Sequence, residues 1–306
     1  MHGNLPLVSI GMPVFNGEDF LEAALESLLA QTFTDFEIIL SDNASSDRTP
    51  EICQAYAAKD SRIRYYRHTH NTGAAENFNY VFRLSRGKYF KWAAHDDLCA
   101  PTFLEQCVEV LDNNPSVVLC SSATGRIDWA GNAQAPKLDR PRRLDDWSAS
   151  ERFAGIVLQT FWCYEIFGLI RSENLRNIQP QRSNYGSDRV MLAELSLQGR
   201  FMQIPETLFF RRFHLKQSTC LPSAKARQLW QSGDRKRNLF WERGSVGFVK
   251  ALLKAPITPL ERLQCLGTVL RYLTKSKNWL YFLPKRLRYK KQEQRKLEPQ
   301  SNLAVF

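Results

Sequence analysis

The chain has 306 residues and a formal net charge of +11 at pH 7, with 43% hydrophobic and 24% charged residues. This composition is typical of globular proteins and excludes fibrous and wholly disordered chains. The length is sufficient for a large buried core, and no apolar run reaches the roughly 18 residues of a transmembrane helix. The seven cysteines are scattered, and no basic region precedes the first apolar stretch. We therefore expect a reduced, cytoplasmic protein without a signal peptide.

The positive charge is concentrated near the C-terminus. Residues 225–306 contain 19 Lys or Arg and 5 Asp or Glu, whereas residues 1–224 contain 23 and 26. Such an asymmetry favours an anionic partner surface, for which nucleic acid and anionic lipid are both candidates.

Alternating strands and helices are predicted over the first 124 residues. The predicted strands are 7–15, 36–42, 63–68, 88–97 and 117–124, and the helices between them are 18–30, 46–59, 73–85 and 101–114. In the first helix, Leu21, Leu25 and Leu28 recur at the spacing of one helix face. Strands and helices that alternate through short links indicate βαβ units and a largely parallel sheet.

The pattern is looser after residue 125. Strands are predicted at 165–171 and 201–214, with a helix at 188–198 between them. From residue 223 onward the chain is predicted to be helical and basic. We therefore expect an α/β domain followed by a helical extension.

Polar side chains follow the first four predicted strands, at the sheet edge where parallel α/β folds bind ligands. These residues are Asn16, Asp42, Asn43, His68, His70, Asn71, His95, Asp96 and Asp97. A single Asp or Asn in a loop is usually a turn-former or a helix cap. The convergence of several of them on one edge favours a binding site.

Asp96 and Asp97 are the most specific feature of this edge. Two adjacent carboxylates repel each other unless a cation or hydrogen-bond donors compensate them. Mg²⁺ and Mn²⁺ are typically held by one or two carboxylates together with substrate phosphates. The alternative is a solvated helix N-terminus ahead of Pro101, where an aspartate would cap the next helix. The residues themselves leave both interpretations open.

Several common enzyme motifs are missing from the chain. The link after the first strand, PVFNGEDF, has no GxGxxG, and no GxxxxGK[ST] occurs, which disfavours Rossmann dehydrogenases and P-loop NTPases. G-x-S-x-G, HExxH and Cys/His zinc spacings are also missing.

The sequence resembles the family 2 glycosyltransferases, which have the GT-A fold. The segment VSIGMPVFNGEDFLEAALESLLAQTFTDFEIILSDNASSDRTPEI resembles the N-terminus of that family, and HDD at 95–97 matches its variant of the Asp-x-Asp motif. The resemblance is specific over about residues 1–125 and weaker to about residue 219. It implies a Rossmann-like, mostly parallel sheet with flanking helices. We expect a catalytic domain over 1–222, with a nucleotide-binding half over 1–125 and an acceptor half over 126–222, and a basic helical extension over 223–306.

The resemblance implies transfer of a sugar with inversion, as in bacterial enzymes that build cell-surface glycans. The implied donor is a nucleotide sugar, with UDP favoured, the implied cofactor is Mn²⁺ or Mg²⁺, and the acceptor is a glycan or a lipid-linked glycan. The implied donor-binding residues are Pro13, Val14, Phe15, Asn16, Asp42, Asn71, Gly73, Asn77 and Asp96. Asp42 would contact a uracil-like base, and Asp97 would hold the metal.

The second half of the chain supplies the remaining implied roles. Asp188 matches the general base of the family, although Ser187 stands where Glu is commoner, and Asp188 could instead be a helix N-cap. FFRRFHLKQST (209–219) resembles the Tyr-Arg-x-His segment of the family. His214 would approach the diphosphate or the metal, and Arg211 or Arg212 would bind phosphate.

Two further interpretations concern aromatic residues. Trp162 and Tyr164 are candidates for stacking on an acceptor sugar, with core packing as the alternative. The segment 278–296 combines aromatic, leucine and basic residues, which is typical of a peripheral membrane-surface helix on the cytoplasmic face. The alternatives for this basic segment are packing on the catalytic domain and nucleic-acid binding, which is disfavoured because no recognition motif is present.

Two other functions fit the same fold. A non-catalytic sugar-nucleotide-binding or scaffold protein would keep Asp42 and Asp97 but would not need Asp188. A nucleotidyltransferase is disfavoured because it usually has a Gly-rich, basic loop after the first strand.

Overall fold

The computed structural model describes residues 5–134, 143–159, 162–178, 180–182, 186–233 and 244–274. Its strands are β1 (Val8–Val14), β2 (Phe36–Asp42), β3 (Ile63–Arg67), β4 (Tyr89–Trp92), β5 (Leu98–Cys99), β6 (Val117–Ile127), β7 (Ala133–Gln134), β8 (Leu169–Arg171) and β9 (Arg200–Arg212). Its α-helices are α1 (Leu21–Leu29), α2 (Thr49–Lys59), α3 (Ala74–Arg83), α4 (Phe103–Asn113), α5 (Ala149–Ala154), α6 (Ser172–Arg176), α7 (Ser187–Ser196), α8 (Ala224–Ser232), α9 (Gly244–Lys254) and α10 (Pro259–Thr274).

The strands form a single mixed sheet in the order β3-β2-β1-β4-β8-β6-β9-β5, with β7 paired to β6. Strands β1 to β4 pair in parallel, and β6 pairs in parallel with β9. Strand β8 is antiparallel to both β4 and β6, and it joins the two parallel halves. The prediction of a mostly parallel α/β sheet with flanking helices is confirmed.

The predicted strand at 88–97 is shorter in the structure. Strand β4 ends at Trp92, although the N–H of Ala93 still donates to the carbonyl of Gly11. The chain then leaves the sheet, and Leu98 and Cys99 pair with β9 instead. This departure places Asp96 and Asp97 in a turn between two strands, so their carboxylates do not have to fit among the side chains of the sheet.

Two apolar cores lie on the two faces of the sheet. The strands supply residues to both faces because successive side chains alternate, so Ile38 and Leu40 join one core and Ile39 the other. Helices α1, α2 and α4 cover the first face, and the predicted apolar positions of α1, including Leu21 and Leu28, are buried there. Helices α3, α5, α7, α9 and α10 cover the second face.

The described C-terminal helices pack on this second core. Phe248 and Leu252 of α9 are 1% exposed, and Cys265 and Val269 of α10 are equally enclosed. No helix in the described part of the chain is long and apolar enough to cross a bilayer. The predicted boundaries at residues 125 and 222 stay predictions, and the basic segment 278–296 lies outside the described residues.

A buried carboxylate ties the first strands together. Glu37 of β2 accepts hydrogen bonds from Ser9 Oγ at 2.7 Å, from Arg64 at 2.8 Å and from Arg86 at 2.7 Å. Burial acts to raise the pKa of Glu37, but the hydrogen bonds from Arg86, Ser9 and Arg64 outweigh it, so the pKa lies below its ordinary value. The ionised form of Glu37 therefore stabilises the fold.

We expect Glu37→Gln to lower the free energy of unfolding by about 2–3 kcal/mol at pH 7, because it leaves two arginines without their carboxylate. A lowered native pKa stabilises the fold above the unfolded pKa of about 4.3, and this stabilisation is lost as the pH falls through the native value. Urea unfolding at pH 7 and pH 3 should show the difference between variant and wild type shrinking. Glu76→Gln, which removes an ion pair with the exposed Arg83, is the control and should cost less than about 1 kcal/mol. An equal loss at both pH values would contradict the role of the charge.

Candidate active site

A cleft of about 1520 Å³ opens at the carboxyl ends of β1 and β4 and extends to α7, α8 and the segment after β9. Most of the predicted site residues line this one cleft. They are Pro13, Val14, Phe15, Asn16, Asn71, Asn77, Asp96, Asp97, Trp162, Tyr164, Asp188, Arg211 and His214. Three predicted site residues do not line it, namely Asp42, Gly73 and Arg212.

The loop after β1 forms one wall of the cleft. Asn16 has a φ of 49°, a left-handed conformation that Asn adopts more readily than most residues. Its N–H donates to Ser45 Oγ at 2.9 Å, and its side-chain oxygen accepts from the N–H of Ser46 at 2.9 Å. These bonds hold the loops after β1 and β2 together, and residues 13–16 line the cleft.

Amide side chains shape the neighbouring loop. Asn71 accepts from the side chain of Asn43 and from the N–H of Gly73, both at 2.9 Å. Asn77 is 2% exposed and donates to the carbonyl of Ser41 at 2.8 Å. The side chains of Asn71 and Asn77 therefore order the cleft wall through bonds within the protein.

Asp42 lies behind this wall. Its side chain is fully buried, and its oxygens accept from the N–H of Ser45 at 2.8 Å and from the Tyr65 hydroxyl at 3.2 Å. Arg67 forms an ion pair with it at 3.3 Å. A direct contact between Asp42 and a base would require one of these partners to move, and its role in base recognition stays a prediction.

Gly73 serves a packing role at the start of α3. Its φ is +85°, and a Cβ atom there would lie 2.4 Å from the backbone nitrogen of Gly233. Only glycine allows the end of α8 to approach this loop so closely. The predicted contact between Gly73 and the donor is untested.

The carboxylate pair stands at the centre of the cleft wall. Asp96 Oδ2 lies 2.8 Å from His214 Nε2, and Asp97 Oδ1 accepts from the N–H of Arg212 at 2.9 Å. Burial and the charge of Asp96 raise the pKa of Asp97 well above its ordinary value. Burial also acts to raise the pKa of Asp96, but the hydrogen bond from His214 and the charge of His95 outweigh it and lower that pKa.

The chemistry of this pair fits a divalent cation. A buried carboxyl group with a raised pKa beside a second carboxylate is the group that a cation would stabilise in its ionised form. No cluster of three or more His, Cys, Asp or Glu side chains suited to a metal occurs in the described ranges. A cation at Asp97 would therefore need oxygens from a bound diphosphate, as is common for Mg²⁺.

His214 is enclosed beside this pair. Its Nε2 faces Asp96, and its Nδ1 is buried with no hydrogen-bond partner among the described residues. Phe20 packs on the imidazole with 4.7 Å between ring centres. In this arrangement His214 is a partner of Asp96, and its predicted contact with a metal is untested.

The two adjacent arginines of β9 have different surroundings. The buried Arg212 donates to the carbonyls of Asp96 at 2.9 Å and Trp129 at 2.8 Å, so its guanidinium group holds the Asp96 turn in place. Arg211 lines the cleft and donates to the Tyr164 hydroxyl at 3.0 Å. Of the two candidates for phosphate binding, the structure brings only Arg211 to the cleft.

The separate positions of the arginines lead to opposite expectations for two variants. Arg212→Met should lower the free energy of unfolding by about 2–3 kcal/mol, since it removes the buried guanidinium group that donates to the carbonyls of Asp96 and Trp129. Arg211→Met should change stability by less than about 1 kcal/mol and weaken nucleotide binding about tenfold. Urea unfolding and nucleotide titration of both variants measure the two effects. The reverse pattern would contradict this assignment of the arginines.

Trp162 and Tyr164 form an aromatic wall. Their rings are nearly parallel, with an interplanar angle of 4° and 6.1 Å between centres. The Arg211 guanidinium carbon lies 5.4 Å from the Trp162 ring centre and 5.1 Å from that of Tyr164. Flat rings and a cation on one wall suit the apolar face and the hydroxyl groups of a sugar.

Asp188 lines the same cleft from the first turn of α7. The residue that precedes this helix as its N-cap is Gly186, with a φ of 83°, so Asp188 is not the cap. One of its oxygens accepts from the N–H of Arg189 at 2.9 Å. Burial raises the pKa of Asp188, and the Arg189 N–H and charge oppose this effect only in part. A carboxylate with a raised pKa at the edge of a cleft is suited to accept a proton.

The sequence did not single out an apolar wall that the C-terminal helices add to the cleft. Leu229 and Trp230 of α8, Phe248 of α9 and Tyr272 of α10 line the cleft near Asp188. Their spacing within helices indicates packing in general, so no sequence signal distinguishes them from core residues.

Comparisons with known proteins show the family to which the chain is similar. Residues 9–170, more than half of the chain, match the sequence model described as "Glycosyl transferase family 2". The chain is 38% identical over 118 residues to an uncharacterized glycosyltransferase of Rickettsia typhi. This match covers 38% of this chain and 36% of the relative. The chain is 33% identical over 128 residues to a chondroitin synthase of Escherichia coli. This match covers 42% of this chain and 18% of the synthase. The chain thus matches about a third or less of these relatives.

Solved structures show the same fold. The chain superposes with a TM-score of 0.65 on residues 1–349 of S. aureus TarS in complex with UDP, at 15% identity, covering 92% of this chain and 77% of that one. It superposes with a TM-score of 0.53 on the mannosyltransferase PcManGT from Pyrobaculum calidifontis in complex with GDP-Man and Mn²⁺, at 16% identity, covering 96% of this chain and 81% of that one.

Proposed function

The chain belongs to glycosyl transferase family 2 and has the GT-A fold, and we propose that it transfers a sugar from a UDP-sugar to an acceptor hydroxyl with inversion. The observation that carries this proposal is a single cleft that joins the Asp96–Asp97 pair to Asp188. Inverting transfer needs a donor site and a base on opposite sides of the reacting carbon, and this cleft is lined by acidic groups from two separate segments, the turn after β4 and the first turn of α7.

The donor half is proposed to lie against the loop after β1. Residues 13–16 and Asn71 line the cleft there. UDP is favoured over other nucleotides because TarS, which shares the fold, has been solved with UDP and with UDP-GlcNAc. Arg211, which lines the cleft beside the aromatic wall, is proposed to bind a phosphate oxygen of the donor.

A divalent cation is proposed at Asp97. Mn²⁺ or Mg²⁺ there would neutralise the charge of the leaving nucleoside diphosphate. The PcManGT structure, which contains Mn²⁺, supports the use of such an ion in this fold. Arg212 and His214 position the carboxylates through the backbone of residue 96 and the side chain of Asp96.

The acceptor half is proposed to lie between α7 and the aromatic wall. Asp188 would take the proton from the attacking hydroxyl, and Trp162 and Tyr164 would stack on the acceptor sugar. The apolar wall that includes Trp230 and Phe248 supports an acceptor with an apolar portion, such as a lipid-linked glycan of a bacterial cell surface. The basic segment 278–296 is proposed to hold the enzyme at the cytoplasmic face of an anionic membrane.

Thermal unfolding with UDP, dTDP, GDP, CDP and ADP, each with and without Mn²⁺, tests the donor site. A ligand at 100 times its dissociation constant adds about 2.7 kcal/mol to stability, which moves the midpoint by several degrees. We expect a Mn²⁺-dependent shift with UDP. No shift with any nucleotide would overturn the donor assignment.

A second measurement distinguishes an enzyme from a protein that only binds sugar nucleotides. Wild type is expected to release UDP slowly from a UDP-sugar in the presence of Mn²⁺ and faster when an acceptor is added. A UDP-dependent thermal shift without UDP release for any UDP-sugar or acceptor would favour a binding protein.

A further inference from the structure

Helices α9 and α10 both carry exposed leucines. Leu253 of α9 and Leu260, Leu263 and Leu270 of α10 are 63–72% exposed, and Leu266 of α10 is 39% exposed. The positions in α10 recur at intervals of three and four residues, so they share one helix face. We call these five residues the leucine face.

The leucine face is distinct from the face that packs on the protein. The opposite side of α10 buries Cys265 and Val269 in the second core, and α9 buries Leu252 there. Both helices are therefore already held by the catalytic domain without the leucine face. Exposed leucines that share a helix face form an apolar patch, which is typical of an interaction site.

The positive charge of these helices favours an anionic partner. Helices α9 and α10 contain four basic residues and a single acidic residue, Glu261, and Lys250, Lys254 and Arg271 are exposed beside the leucines. The chain continues from α10 into residues 275–306, which contain nine Lys or Arg and two Glu. Leucines flanked by basic residues are typical of helices that lie in a membrane interface and bind anionic headgroups.

We infer that the leucine face of α9 and α10 docks on the surface of an anionic lipid bilayer. The leucines enter the boundary between headgroups and acyl chains, and Lys250, Lys254 and Arg271 contact the phosphates. The inner sides of the same helices contribute Phe248 and Tyr272 to the cleft. Docking therefore places the bilayer against two of the three helices that form the apolar wall of the cleft. This inference concerns the folded helices and does not depend on the identity of the donor.

Co-sedimentation of the full chain with vesicles tests it. Wild type is expected to bind vesicles of phosphatidylcholine with phosphatidylglycerol, and to bind pure phosphatidylcholine much more weakly. Leu263→Gln with Leu270→Gln should lower the partition coefficient by about tenfold or more, since the two leucines together bury a large apolar area. The control is Leu5→Gln with Trp147→Gln, which changes two equally exposed apolar residues, 64% and 76% exposed, outside the helices. It should bind like wild type.

A second variant distinguishes the contribution of the leucine face to vesicle binding from that of the basic segment. Lys285→Glu, Arg286→Glu and Arg288→Glu in the full chain remove electrostatic attraction and leave the leucines intact. The inference predicts weaker binding for this variant and for the leucine variant. Wild-type binding by the leucine variant would overturn it, because the basic segment would then bind unaided. A wild-type dimer that the leucine variant converts to a monomer, without vesicle binding, would also overturn it and assign the face to a second copy. Near-ultraviolet circular dichroism confirms that each variant is folded.

Discussion

Asp188→Asn is expected to lower kcat about 10²–10⁴-fold and to leave the affinity for the nucleotide donor unchanged. The factor is that of a general base, which acts only while the acceptor hydroxyl is being deprotonated. Asp188 lines the cleft from the first turn of α7, and the residue at the N-cap position of that helix is Gly186. Turnover with saturating UDP-sugar and acceptor, together with UDP titration, measures both quantities.

The pH dependence of this reaction adds a second test of Asp188. A base must be ionised to accept a proton, and burial raises the pKa of Asp188. The acidic limb of the kcat profile should therefore lie above the pKa of an ordinary aspartate, near 3.9, with turnover falling as the pH drops through it. Asp188→Asn should lack this limb.

Asp35→Asn is the control for Asp188, because it removes an exposed aspartate outside the cleft. It should match wild type in kcat and in pH profile. Normal turnover in Asp188→Asn would show that another group is the base. A loss of donor affinity in the same variant would place Asp188 in the donor site instead.

Asp97→Asn is expected to weaken Mn²⁺-dependent binding of the donor by about 100-fold or more, because the variant loses the charge that attracts the cation. Changes to residues that only support a metal ligand already cost 10–100-fold in affinity, so removal of a ligand should cost at least as much. Asparagine keeps an oxygen that can accept from the N–H of Arg212, which Asp97 Oδ1 does at 2.9 Å. The variant should therefore fold.

Calorimetric titration of UDP with and without Mn²⁺ measures this effect. Asp19→Asn is the matched control, because Asp19 also lines the cleft but pairs with Lys216. It should keep the Mn²⁺ dependence. Equal effects of Mn²⁺ on wild type and on Asp97→Asn would remove Asp97 from the metal site.

The fold was predictable because its signals are local. Strand and helix periods appear within short windows of sequence, and the alternation of β1, α1, β2 and α2 in the structure follows the predicted order. The edge on which the polar residues meet was predictable too, since parallel strands end on the same side of a sheet. This is why Asn16, Asn71 and Asp97 could be placed in one cleft before any contact was known.

Local sequence signals did not predict which of Asp42, Arg211 and Arg212 would reach the cleft. In the sequence, Asp42 and Arg212 are each adjacent to a residue that lines the cleft. In the structure, however, both are buried by partners that are distant in sequence, including Tyr65 and Trp129. Neighbouring residues of a strand point to opposite faces, so the register of β9 decides which arginine reaches the cleft. That register depends on contacts between strands and leaves no mark on the sequence of β9.

The C-terminal helices show the same division. Their amphipathic spacing, basic charge and helical character follow from the residues of 244–274 and were expected before the structure. The sequence did not predict which of their apolar residues would be buried, because a helix with apolar side chains on several faces can pack in more than one way. Only the positions of α5 and α7 decide that Phe248 and Val269 are buried while Leu263 and Leu270 face outward. Chemical character is a property of each residue, whereas exposure is a property of its neighbours in space.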